Sequence, residues 1–133
     1  MSKLMTLQEL VNIENKYGID DFILYFNDFI DEINRRIKNN DKSIENIFKK
    51  EPNWGNLDKK RISWIVSASN HIISKSNKSI KRYKWMIDEK FVLKKPYFAC
   101  NAKGMLRVIL LQESPYWFAM NNIWVSENVL NRV

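Results

Sequence analysis

Between Asp20 and Lys38 the apolar side chains Phe22, Ile23, Phe26, Phe29, Ile30, Ile33 and Ile37 recur every three or four residues. Only an α-helix brings that spacing to one side of the chain. Such a stripe needs a core to bury it, and 133 residues suffice for one domain with a core of its own. Breakers are scarce, with three glycines and three prolines, which favours helices over a many-turned β-sandwich. The chain is 45% hydrophobic and 13% aromatic, too apolar for a disordered segment. The expected fold is mostly α: a single compact helical domain over 1–133, with five to six helices and an irregular, aromatic-rich C-terminal segment. Within it, 1–50 should form an N-terminal helical hairpin and 51–133 the remaining helical part.

Local signals place the other elements. Thr6-Leu7-Gln8-Glu9 has the capping-box form and opens a helix over about 6–17, which Gly18 stops. Asp20-Asp21 puts negative charge at the positive end of the second helix, about 20–38, and Arg35, Arg36 and Lys38 sit at its negative end. A short helix is expected over 43–49, presenting Ile44, Ile47 and Phe48, and Pro52 and Gly55 mark a loop. Asp58 caps a long helix over about 58–75, with Ile62, Ile65, Val66, Ser69, Ile72 and Ile73 inward. Lys103 to Gln112 reads as a further helix with Met105, Leu106, Ile109 and Leu110 inward. Ser114-Pro115 is a helix-start signature. Ile123-Trp124-Val125 reads as extended, and Ser126 as the cap of a terminal turn holding Val129 and Leu130.

Most catalytic chemistry lacks its parts. His71 is the only histidine and Cys100 the only cysteine, which argues against a Cys-His pair, a cysteine-based zinc site and an intrachain disulfide. The acid pairs Asp20-Asp21, Asp31-Glu32 and Asp88-Glu89 diverge by about 100° on a helix, so they do not converge on one metal or sugar. Neither a phosphate-binding loop nor a dinucleotide fingerprint is present. The expectation is a non-enzyme without cofactor or metal. No apolar run approaches the ~18 residues of a membrane span, and the first residues lack a signal-peptide core, so a cytoplasmic protein is expected.

Charge is asymmetric. Residues 1–32 hold seven acids against two lysines, whereas 59–95 hold eleven Lys or Arg against Asp88 and Glu89. A basic face can meet nucleic acid or an acidic protein. Lys81, Arg82 and Lys84 around Tyr83 and Trp85 have the mixture that stacks bases and neutralises phosphates. The competing reading packs Trp85 in the core and leaves the lysines in water. The surplus of Lys, Asn and Ile also suits an AT-rich genome, which raises the basic charge without any polyanion.

The second half adds an ordered set of steps. Trp85 is followed by Pro96-Tyr97-Phe98, then Leu106-Arg107-Val108-Ile109-Leu110-Leu111, Ser114-Pro115-Tyr116-Trp117-Phe118, Asn122-Ile123-Trp124-Val125 and Leu130-Asn131-Arg132-Val133. Over about 51–133 this order resembles a domain of small bacterial proteins, often fused behind a helix-turn-helix and encoded beside a nucleotidyltransferase-like protein. Tyr83 stands where that pattern has a proline, and no separable helix-turn-helix precedes the domain. The resemblance implies an antitoxin-like protein that neutralises a bacterial toxin by protein–protein contact. Arg35, Arg36, Lys59, Lys60 and Arg61, with Lys81, Arg82 and Lys84, would be its partner-binding residues, set against the metal-holding acids of such a toxin. The alternatives are a nucleic-acid-binding regulator using 59–95 and a mobile-element or phage inhibitor of a host protein. Tyr97, Phe98, Phe118 and Trp124 are expected mostly buried, as scaffold.

Overall fold

The computed structural model describes residues 3–132. Helix α1 (Leu7–Tyr17) opens with the complete capping box: the Glu9 amide donates to Thr6 Oγ1 (3.1 Å), and the Thr6 amide donates to Glu9 Oε1 (3.1 Å). Gly18, at φ +98°, ends it, and α2 (Ile19–Lys38) begins at the next residue. A φ of that sign strains any L side chain, so the joint requires glycine. The two helices pack against one another. From α2, Phe22, Phe26, Phe29, Ile30 and Ile33 enter the core. Ile23, expected inward, lies at the edge of that stripe and is exposed, together with Tyr17, Ile19, Leu24 and Tyr25. The stripe subtends a wider arc than the core covers.

In place of the short helix over 43–49 there is one 3-10 turn, Lys42–Ile44, capped by Asp41 and followed by further turns. It still delivers Ile44 and Phe48 to the core. The loop that follows is held to α1 by two side-chain amides. Gln8 exchanges hydrogen bonds with the backbone of Asn53 (3.0 and 2.7 Å), and Asn15 donates to Trp54 O (3.1 Å) and accepts from the Asn56 amide (2.7 Å). Gly55 lies between those contacts at φ +61°, and a Cβ there would come within 2.7 Å of the Asn15 amide. Gly55→Ala should therefore cost about 1–3 kcal/mol, from left-handed strain and disrupted loop hydrogen bonds, read as a lowered urea midpoint.

Helix α3 (Lys59–Lys75) is the central element, capped by Asp58 and buried at Ser63 and from Ile65 to Ile73. A helix covered on so many sides needs small residues where loops approach, and serine meets that need only if its hydroxyl is paired. Ser63 donates to Phe91 O (2.6 Å), Ser69 to Ile65 O (2.8 Å), and Ser67 accepts from Asn121 Nδ2 (2.8 Å). Among the described residues no fully buried side-chain polar atom lacks a partner. Helices α4 (Met105–Glu113) and α5 (Tyr116–Met120) complete the helical set.

Strands β1 (Tyr97–Phe98) and β2 (Ile123–Trp124) pair in parallel, Tyr97 opposite Ile123 and Phe98 opposite Trp124. Ser114 does not cap α5. Its hydroxyl donates to Ile123 O (3.2 Å) and accepts from the Val125 amide (3.0 Å), tying the α4–α5 joint to β2. Phe118 is fully buried, whereas Tyr97, Phe98 and Trp124 are half-buried. The domain is mostly helical, and residues from 1–50 and 51–133 share one core. No helix among the described residues is long and apolar enough to cross a membrane.

Candidate partner-binding surface

The basic residues singled out by sequence do not form one free face. Arg61 reaches across from α3 to the buried Glu14 of α1 with two hydrogen bonds (2.8 and 2.9 Å), and its guanidinium lies 5.3 Å from the Phe22 ring and 5.1 Å from Trp64. Arg82 donates to Asn70 Oδ1 (2.8 Å), to the Asn70 carbonyl (3.0 Å) and to Ser74 (3.2 Å), and lies 4.0 Å over the Trp117 ring. Burial pushes its guanidinium below its ordinary value. Both arginines are internal ties, and their side chains are already committed.

Arg35 and Arg36 converge on Glu32 of the same helix, at 2.5 and 2.7 Å. The hydrogen bond from Arg35 and then that from Arg36 hold the Glu32 carboxyl at about 2, below its ordinary 4.5. A carboxyl depressed in the folded state stabilises fully above 4.5, and that contribution fades as pH falls towards 2. Glu32→Gln should flatten the loss of stability between pH 4.5 and 2, as measured by urea unfolding at stepped pH.

Lys59, Lys60, Lys81 and Lys84 are exposed and make no ion pair among the described residues. The aromatics beside them are not a free stacking platform. Trp85 donates its indole N–H to Phe48 O (2.8 Å) and meets Trp54 and Phe91 edge-on, and Tyr83 hydrogen-bonds Asn46. Lys81 lies 5.5 Å over the Tyr83 ring.

Besides the apolar residues exposed at the α1–α2 joint, α4 is an exposed apolar feature. Four inward residues were expected there; only Leu110 is buried. Met105 is 72% exposed, and Leu106, Val108, Ile109 and Leu111 between 43% and 48%. At 3.6 residues per turn, Met105, Val108 and Ile109 share the side opposite Leu110. The helix therefore shows its continuous apolar stripe to solvent, where a surface helix normally shows polar residues. Its approach is sharply turned: Cys100, Asn101 and Gly104 all have φ between +52° and +59°. Arg107 braces the turn, donating to Ala102 O (2.7 Å) and lying 4.6 Å over the Phe98 ring.

Cations gather around β1 and the start of α4. Lys60 sits 5.6 Å over the Tyr97 ring, Lys94 and Lys95 stand just before Pro96 and β1, and Lys103 precedes α4; none makes an ion pair among the described residues. Sequence reasoning missed this surface although its signal was present. Six of the seven residues from Met105 to Leu111 are apolar, more than one contact face can bury.

The chain matches no protein-family model, no curated protein and no solved structure. Among the described residues, no group of three or more His, Cys, Asp or Glu side chains is placed to hold a metal ion. The geometry offers a surface for contact: an apolar helix with a cationic border.

Proposed function

We propose that the chain is an antitoxin-like protein that binds a partner protein through α4 and neutralises it by covering its active site. The observation that carries this reading is the stripe Met105, Val108 and Ile109, exposed on the side opposite Leu110. A continuous apolar strip on a helix is the form taken by groove-binding helices, which insert residues at i, i+3 and i+4. The cations Lys60, Lys94, Lys95 and Lys103 favour an acidic border on the partner's groove, and such complementarity sets specificity and association rate. An acidic border agrees with the resemblance in the second half, because nucleotidyltransferase-like enzymes hold their metal with carboxylates.

Nucleic-acid binding has less support. Arg61 and Arg82 are tied internally, and Trp85 packs rather than stacks outward. The six lysines of the 59–84 stretch, Lys59, Lys60, Lys75, Lys78, Lys81 and Lys84, make no ion pair among the described residues and remain for that role.

Coexpression with the protein encoded beside this chain tests the proposal. A stoichiometric complex in which the partner's activity is suppressed is the expected result. Failure to copurify removes the antitoxin reading. If the chain instead self-associates through α4, the occupant is a second copy, which also overturns it.

A further inference from the structure

A cleft of about 420 Å³ opens between α2, α3 and the C-terminal segment, away from α4 in sequence and independent of its role. Its apolar wall is formed by Ile30, Ile72 and Leu130, and its polar wall includes His71, Lys75 and Arg132. His71 is 7% exposed and meets the Phe118 ring at 5.9 Å, yet its ring makes no hydrogen bond within the described residues. Since no fully buried polar atom is left unpartnered, the ring nitrogens retain access to solvent, and the cleft they line is the way out. An imidazole with its polar edge open to the cleft can offer an N–H or a ring nitrogen to a ligand bound there.

The charges facing it select the class of that partner. Lys75, one helical turn along from His71, makes no ion pair among the described residues. Arg132 is already matched by Asp31 of α2, with bonds of 3.0 and 3.1 Å. Among the described residues, one free positive charge beside a neutral N–H donor balances a monoanion better than a dianion. The apolar wall favours a ligand with a hydrocarbon part. Burial, and then the charge of Lys75, hold the His71 imidazolium below its ordinary value, which favours the neutral ring.

We propose that this cleft binds a monocarboxylate with an apolar tail, its carboxylate held by Lys75 and the His71 N–H, its tail against Ile30, Ile72 and Leu130. His71 is the only histidine in the chain, so its ring proton signals report on the site without assignment. The test titrates hexanoate, N-acetyl-leucine, acetate and inorganic phosphate at constant ionic strength while following the His71 resonance by NMR. Hexanoate or N-acetyl-leucine should shift it saturably and raise its titration midpoint, because a bound anion favours the imidazolium. Their relative strength separates a free acid from a peptide terminus. Acetate, lacking the tail, should bind at least about tenfold more weakly. Lys75→Gln should abolish the shift, and Lys78→Gln, outside the cleft, should leave it unchanged. No saturable shift with either tailed acid, tighter binding of phosphate, or undiminished binding by Lys75→Gln overturns the proposal.

Discussion

Arg61→Ala should lower the unfolding free energy by about 3–5 kcal/mol, because it strands a buried carboxylate. Glu14 has a side chain only 5% exposed and receives both hydrogen bonds from a guanidinium itself 15% exposed. The pair joins α1 to α3 across 47 residues of sequence, and the same guanidinium covers the Phe22 and Trp64 rings. Removing it thus loses packing as well as charge. Glu14→Leu combined with Arg61→Met should recover much of the loss, since an apolar pair of similar volume avoids the desolvation cost. Urea unfolding of the single and double variants measures both effects. A loss below 1 kcal/mol for Arg61→Ala would show the pair to be no more than a surface bridge.

Replacing Val108 and Ile109 together by glutamate should weaken partner binding by at least about 100-fold, since two charges would have to enter an apolar contact unpaired. The fold should be nearly indifferent. Both side chains are more than two-fifths exposed, and substitutions at such positions usually change stability by about 0.5 kcal/mol or less. The opposite pattern holds for Leu110, whose side chain is buried: Leu110→Ala should destabilise the domain. The proposed contact residues and the buried, stabilising Leu110 thus lie on opposite sides of one nine-residue helix.

Local signals in the chain foretold most of the helical frame. The Thr6–Glu9 box, the Asp58 cap and the three-and-four spacing of α2 each act within a few residues, and each reappears in the structure. The parallel β1–β2 pair was visible only as an extended stretch, because its partner strand lies about 25 residues away. Charges were harder to place. Whether Arg61 or Arg82 is a surface group depends on Glu14 and Asn70 being folded against them, which composition and periodicity do not encode. For α4 the failure has another cause. Met105-Leu106-Arg107-Val108-Ile109-Leu110-Leu111 is apolar nearly all round, so its spacing points to no single buried side. An inward face was the natural expectation, whereas the helix shows most of that apolar surface to solvent.

The proposed contact surface is α4. Its most direct test is quantitative copurification of the neighbouring gene's product with the wild-type chain and with Val108→Glu/Ile109→Glu, alongside Lys81→Gln/Lys84→Gln as a charge control. A stoichiometric complex is expected for the wild type and the lysine control, and its loss in the α4 variant with an unchanged unfolding midpoint. A complex that survives the two glutamates, or one lost only with the lysines, would contradict α4 as the contact surface.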